Sequence, residues 1–262
     1  MNNKLDRPFI FFSDLDGTLL DHQTYSHAPA REALDALRAN HIELILASSK
    51  TAAEIAPLRR DIGFEHCEAI VENGAGLLLS GSLEKSSNEY YQRLLDVLTE
   101  LPAIYRGHFT GFSQWEAAEI SQLTGLTLNA AKLSKARQFS EPGLWSGSDD
   151  ELEGFRSFLK NEGIIAQRGG RFLTLSFGGR KVDQMQKIID RHRANGVDPF
   201  CVALGDAPND IAMLEAADLG IIIPNSSHSG INELPGEATG KIIRATFTGP
   251  EGWNDAVLNV LR

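Results

Sequence analysis

An α/β fold, in which a parallel-sheet core is interrupted by a separate α+β unit, is predicted by three features of this 262-residue chain. Apolar strand-like runs alternate with helical patterns over the first third, the signature of parallel strands joined through helices. The middle third loses that regularity. From about residue 179 the alternation resumes. The expected division is therefore a core in two parts, residues 1–83 and 179–262, with an inserted α+β unit over residues 84–178.

Each element has a local reason. Pro8-Phe9-Ile10-Phe11-Phe12 is an unbroken apolar run, and predicts a buried strand over 8–13. Ala33, Leu34 and Leu37 fall at helical spacing within 29–40. A second strand is expected over 41–47 and a helix over 51–62, which Pro57 should kink or shorten. Ala69-Ile70-Val71 reads as a third strand, and Asn73-Gly74 as a tight turn into 76–79. Residues 80–88 are rich in Ser and read as a linker. In the insert, helices are expected near 88–101, 114–125 and 149–162, with strands near 104–109, 164–168 and 171–177. The core then returns with helix 181–194, strand 200–204, helix 208–217 and strand 219–223.

Composition narrows the class. The formal net charge of −10 argues against a general nucleic-acid or anionic-membrane surface. No apolar stretch approaches the ~20 residues that span a bilayer, and Met1-Asn2-Asn3-Lys4 carries no apolar signal region. A cytoplasmic enzyme, monomeric or homodimeric, is expected. Cys67 and Cys201, the only two cysteines, sit beside apolar runs and are expected as buried thiols.

The chemistry concentrates where strands end. Asp14-Leu15-Asp16-Gly17-Thr18 follows the first strand, so two carboxylates share a strand tip and Gly17 permits a sharp turn. Gly205-Asp206-Ala207-Pro208-Asn209-Asp210 follows the strand at 200–204. Two acidic clusters at one sheet edge suit Mg²⁺, a hard cation that takes oxygen ligands. Ser48 ends the strand Leu44-Ile45-Leu46-Ala47, and Lys181 opens the helix after the insert. A carboxylate nucleophile, a hydroxyl, a cation and metal-binding carboxylates together form a coherent phosphoryl-transfer set. Taken singly, Ser48 could cap the helix beginning near Thr51, Lys181 could be solvated, and Asp210 could merely complement a helix dipole.

In order and spacing these motifs resemble the haloacid dehalogenase-like superfamily of phosphohydrolases, and the resemblance spans most of the chain. It implies a Rossmann-like core and an inserted α+β cap that selects the leaving group. Asp14 would attack phosphorus, and Asp16 would protonate the leaving oxygen and then activate water. Mg²⁺ would be held by Asp14, the main-chain carbonyl of Asp16, and Asp206, with Asp210 in support. Ser48 and Lys181 would bind phosphate, and Asn209 would line the pocket.

Within that superfamily, Ser48-Ser49-Lys50-Thr51, Glu72-Asn73-Gly74, Gly111-Phe112-Ser113, Leu123-Thr124-Gly125-Leu126 and Arg137-Gln138-Phe139-Ser140-Glu141-Pro142 are similar to the mannosyl-3-phosphoglycerate phosphatases. Where that family follows Gly-Phe with an acidic residue and Met, this chain has Gln114-Trp115. The resemblance implies a phosphorylated sugar/glycerate small-molecule substrate. Lys50, Arg137, Glu141, Arg168 and Arg171 are the candidate substrate contacts; Arg168-Gly169-Gly170-Arg171 could equally be a hairpin turn. Other sugar phosphates (glucosyl-3-phosphoglycerate, sucrose, trehalose or hexose phosphate) keep the reaction and change the leaving group. A phosphomutase ranks lower because mutases of the superfamily usually carry a different cap arrangement, and a non-catalytic sugar-phosphate sensor ranks lower because Asp14, Asp16, Lys181, Asp206 and Asp210 are all present.

Overall fold

The computed structural model describes residues 7–81, 88–225 and 230–262. Most of the expected linker over 80–88, and Met1-Asn2-Asn3-Lys4, lie outside the described residues.

A seven-stranded sheet organises the larger part of the molecule. Its strands are β1 (Phe9–Ser13), β2 (Glu43–Ala47), β3 (Ala69–Val71), β4 (Gly76–Leu78), β9 (Phe200–Gly205), β10 (Leu219–Ile222) and β11 (Ile242–Arg244), in the order β11-β10-β9-β1-β2-β3-β4. All pairs are parallel except β3 with β4. From β1 the chain steps outward through β2 and β3 on one side. On its return β9 takes the other edge of β1, with Phe9 opposite Phe200 and Ser13 opposite Leu204. The strand order thus reverses at β1–β9, and a crevice opens beyond the carboxyl ends of strands at such a point. Both acidic clusters follow these two strands.

Helices cover the sheet. In α1 (Arg31–Ala39) the buried residues are Ala33, Leu34 and Leu37, and this helix packs on α9 (Gly249–Leu261), which the sequence reading passed over. Trp253 of α9 is fully buried; its Nε1 donates to Ser13 Oγ at 2.9 Å, and that hydroxyl donates to the Asp14 carbonyl at 2.7 Å. The C-terminal helix therefore helps fix the tip of β1. In α2 (Ala52–Asp61) the helix is not cut at Pro57, although one backbone donor is forfeited there. Its start is secured by a capping box between Thr51 and Glu54. Ser48 is thereby relieved of the capping role. Cys67 and Cys201 are buried free thiols.

The β3–β4 connection is a four-residue loop, 72–75, between Val71 and its partner Gly76, rather than the two-residue turn expected at Asn73-Gly74. Glu72, Asn73 and Gly74 all take positive φ, at 49°, 62° and 96°. A Cβ on Gly74 would lie 2.1 Å from the Arg180 carbonyl carbon, so the chain crosses itself closely here.

The second sheet has four antiparallel strands, β5 (Phe109–Gly111), β6 (Ser140–Trp145), β7 (Ile165–Gly169) and β8 (Phe172–Ser176), in the order β5-β6-β8-β7. Helices α3 (Glu89–Thr99) and α6 (Asp149–Asn161) pack on one face, around Leu94, Phe155, Leu173 and Leu175. The short helices α4 (Ala117–Thr124) and α5 (Leu128–Lys135) form a satellite cluster with Phe112.

Here the local expectations need correction. Residues 104–108 are not strand: Tyr105 and Arg106 both donate to the Pro102 carbonyl, and Gly107 takes φ 91°, so the segment turns. Strand begins only at Phe109. Helix α5 and strand β6 were not foreseen. Pro142 and Gly143 make β6 read as a turn. Pro142 is tolerated because its carbonyl faces the β5 side, accepting from Phe112 N at 2.9 Å beyond the end of β5, so the missing N–H interrupts no ladder bond there. Among the described residues no helix is long and apolar enough to cross a membrane.

Candidate active site

The crevice between β1 and β9 collects charge. Asp14 N donates to the Leu204 carbonyl at 2.9 Å, which carries the strand pairing one residue past β1. Lys181 is the first residue of α7 (Lys181–Ala194) and is fully buried. Its Nζ lies 2.5 Å from Asp14 Oδ1 and 2.8 Å from Asp210 Oδ1. Neither residue is thus a solvated helix-end charge. Asp210 closes the turn Pro208–Asp210, and its second oxygen accepts from the Asp206 and Ala207 amides at 3.2 and 3.1 Å. Asp206 accepts from Thr18 Oγ1 at 3.1 Å and Asn225 Nδ2 at 2.6 Å.

Asp14, Asp206 and Asp210 each bring one carboxylate oxygen within 4.8 Å of the others, and all three are buried. Burial pushes the Asp14 carboxyl well above its ordinary range; Lys181 opposes that shift, while Asp210 and Asp206 add to it. Burial also works against the Lys181 ammonium, but Asp14 and Asp210 outweigh it and hold its pKa above the usual value. Three buried carboxylates against one ammonium leave negative charge uncompensated, which is costly in a dry site. Hard oxygen donors with surplus negative charge fit a divalent hard cation. The cluster is a site that could hold a metal ion.

Gly17 is required where it stands. Its φ is 83°, and a Cβ there would sit 2.1 Å from Asn225 Nδ2 and 2.8 Å from Asp206 Oδ2. Asn225 was missed in the sequence reading. The available signal was positional: it lies just past β10, the strand next to β9, and so reaches the same sheet edge.

Ser48 is buried at the end of β2. The β1–β2 register, with Ser13 opposite Leu46, carries it to the edge that bears Asp14. Its Oγ accepts from Lys50 N at 3.2 Å. Asp16 Oδ2 pairs with Lys50 Nζ at 2.9 Å, whereas Asp16 Oδ1 is buried with no hydrogen-bond partner. Asn209 Nδ2 donates to Asn73 Oδ1 at 3.0 Å.

A cavity of about 710 Å³ opens between the two sheets. Lys50, Asn73 and Asn209 line one wall, and Gln167, Thr174 and Ser176 the other. Arg168 also lines it, at the exposed β7–β8 edge. Of the remaining candidates, Glu141 and Arg171 lie outside the cavity and Arg137 is committed within the protein. Glu141 lies opposite Leu175, on the face turned toward the helices, whereas Pro142 lies opposite Thr174 on the cavity face. Glu141 accordingly accepts from Tyr91 Oη at 2.7 Å and Ser113 N at 2.8 Å. Burial raises its pKa, with Ser113 and Tyr91 opposing. Arg171 donates to the Leu123 carbonyl and does not line the cavity. Arg137 reaches the cavity, but its guanidinium is engaged internally: Nε lies 3.3 Å from Glu72 Oε2, and Nη2 donates to Ser140 Oγ at 2.7 Å. Trp145 stacks on Phe155 and Trp115 packs on Phe112, as core aromatics do.

The fold and this crevice define a phosphoric monoester hydrolase, and the chain belongs to the haloacid dehalogenase-like hydrolases, whose family profile it matches over residues 11–101 and 160–234. It is 31% identical to the glucosyl-3-phosphoglycerate/mannosyl-3-phosphoglycerate phosphatase of Persephonella marina, across 96% of this chain and 97% of that one. Solved structures share the fold at lower identity. A haloacid dehalogenase-like hydrolase from Bacteroides thetaiotaomicron superposes with a TM-score of 0.65 at 21% identity, over 97% of this chain and 100% of that one. The sucrose-phosphatase of Synechocystis, solved with sucrose and phosphate, gives 0.59 at 15% identity, over 97% and 98% of the two chains.

Proposed function

We propose that the protein is a Mg²⁺-dependent phosphatase that hydrolyses 2-O-mannosyl-3-phosphoglycerate to mannosylglycerate and phosphate, residues 84–178 acting as the cap that encloses the leaving group. The observation that carries this reading is the cavity itself. One wall offers Lys50 beside an acidic strand tip, and the other offers the neutral hydrogen-bonding groups of Gln167, Thr174 and Ser176. An anionic phosphoglycerate and a hydroxyl-rich sugar are matched by those two walls. The relative from Persephonella marina, named for the glucosyl and mannosyl forms of this compound, supports the same substrate class.

In the first half-reaction an Asp14 carboxylate oxygen bonds to phosphorus as the bond from phosphorus to the ester oxygen breaks. The electron pair leaves with that oxygen, which takes a proton from Asp16. In the second, Asp16 takes a proton from water, the water oxygen bonds to phosphorus, and Asp14 is released with inorganic phosphate. Ser48 and Lys181 bind the phosphoryl oxygens. Asp14, Asp206, Asp210 and the Asp16 carbonyl would hold Mg²⁺, which supplies charge neutralisation for the transferring group.

Asn225 supports this arrangement by fixing Asp206. The Asn225→Ala variant is expected to need ~10–100-fold more Mg²⁺ for half-saturation, as outer-shell substitutions do. Calorimetric Mg²⁺ titration and the Mg²⁺-induced rise in melting temperature both read this. An unchanged Mg²⁺ requirement would remove Asn225 from the metal's support.

The substrate assignment is tested by Mg²⁺-dependent phosphate release from mannosyl- and glucosyl-3-phosphoglycerate, sucrose 6-phosphate, trehalose 6-phosphate and hexose phosphates. A preference in kcat/KM of ~100-fold for mannosyl-3-phosphoglycerate, about 2.7 kcal/mol, is expected. Flat activity across the panel leaves the hydrolase standing and overturns the substrate.

A further inference from the structure

Lys50 occupies an unusual position between the catalytic strand tip and the leaving-group cavity. Its Nζ is 2.9 Å from Asp16 Oδ2 and 5.0 Å from the centre of the Tyr25 ring. The pair is only partly screened, with side-chain exposures of 18% for Lys50 and 33% for Asp16. Tyr25 is held for this contact. Its φ is 55°, in the left-handed region that a bulky residue enters only under constraint, and its amide donates to the Asp21 carbonyl at 2.9 Å. Asp21 Oδ1 in turn accepts from the Thr24 amide at 2.8 Å and the Thr24 hydroxyl at 2.7 Å. The turn thus presents an aromatic face to an ammonium, a favourable cation–π geometry.

Asp16 is consequently divided. One oxygen is tied to Lys50, and the other is buried without a partner. A buried acceptor left unmade is costly and calls for an occupant. Meanwhile Lys50 lines the cavity beside Asp16, whereas Arg137 is bound to Glu72 and Ser140, Arg171 to the Leu123 carbonyl, and Arg168 lies on the far wall at the exposed β7–β8 edge.

We propose that Lys50 determines specificity by exchanging partners: it holds Asp16 before substrate enters, then passes to the carboxylate of the glycerate and so frees Asp16 to meet the ester oxygen. The proposal rests on the substrate reading given above. In a 3-phosphoglycerate the carboxyl carbon is separated from the ester oxygen by two carbons, so one ammonium beside Asp16 is within reach of both. A leaving group without a carboxylate leaves the Lys50–Asp16 pair intact, and the pair then acts as a brake. No bond is made or broken in the exchange; one ion pair replaces another, and Tyr25 keeps the ammonium over the same spot.

The test compares 2-O-mannosyl-3-phosphoglycerate with 2-O-mannosylglycerol 3-phosphate, which carries a hydroxymethyl group in place of the carboxylate. Wild-type enzyme should favour the acid by ~100-fold in kcat/KM, the scale of a charge-assisted contact, with part of the difference in kcat. In Lys50→Met the ratio should collapse to within a few-fold, and Lys50→Arg should restore much of it. Equal losses on both substrates in Lys50→Met, or an undiminished ratio, overturn the assignment. A wild-type preference seen only in KM overturns the release of Asp16, and this measurement stands even if Lys50→Met fails to fold. If the wild type handles neither compound better than hexose phosphates, the substrate reading itself fails, and the exchange fails with it.

Discussion

Replacing Asp14 with Asn is expected to lower kcat by at least ~10⁴-fold while leaving the protein folded. The expected size follows from what covalent catalysis and positioning contribute together. An amide oxygen is a poor nucleophile toward phosphorus, and the other carboxylates are committed: Asp206 and Asp210 are held by Thr18, Asn225, Lys181 and backbone amides, and Asp16 pairs with Lys50 and serves as the acid and base. The fold should survive because Asn is nearly isosteric and the substitution removes one of three crowded carboxylates. It also deprives Lys181 of one of its two charged partners, but Asp210 at 2.8 Å remains. Rapid-quench trapping with ³²P-labelled substrate should yield a phosphorylated wild-type protein and none in the variant. Full activity in Asp14→Asn would end the covalent mechanism.

The second large effect is on stability, and it comes from Glu72. This carboxylate is fully buried and gathers four donors from the segment that opens β6. They are Arg137 Nε at 3.3 Å, the Gln138 amide at 2.8 Å, the Phe139 amide at 3.2 Å and Ser140 Oγ at 2.7 Å. Glu72→Gln would leave Arg137 buried without its counter-charge and turn an amide NH₂ toward groups that themselves donate. Breaking a buried pair from one side costs ~3–5 kcal/mol. Arg137→Met should cost less, about 2 kcal/mol, because three donors still satisfy Glu72. Urea denaturation of both single variants and the double variant measures the coupling. A Glu72→Gln cost below about 1 kcal/mol would show the network to be incidental to stability. Because Glu72 sits on the β3–β4 turn and its donors on the segment 137–140 that leads into β6, the same variant should loosen one sheet from the other.

Much of the core was legible in the sequence because buried parallel strands are written plainly. Phe9 to Phe12 and Phe200 to Leu204 have no polar interruption, and each ends in acids that no buried strand would carry idly. Lys181 was legible only as a member of a series; alone it resembles any helix-opening lysine. What stayed hidden has a physical reason in each case. Pro142 and Gly143 disguise an interior strand, since the register that tolerates them is set by β5 ending early. Glu141 was assigned to the cavity, yet side chains alternate across a strand, and only the pairing with Leu175 reveals which face it takes. The Glu72–Arg137 pair joins two loops whose meeting no periodicity announces. Asn225 acts through a strand neighbour, and strand order is a property of topology, which local sequence does not encode.

The pairing of β1 with β9 has a consequence for biosynthesis. Strands β1 to β4 are complete once residue 78 has been made, but the partner that covers the far edge of Phe9–Ser13 begins at residue 200. At typical elongation speeds the ribosome needs roughly ten seconds to cross that interval. Throughout it, a strand of three phenylalanines and an isoleucine presents unpaired amides and carbonyls, the kind of edge on which chains aggregate. The nascent half-sheet is therefore a natural client for chaperones that shield exposed strands. Catalytic competence arrives late in synthesis, because Lys181, Asp206 and Asp210 emerge only after the whole second sheet.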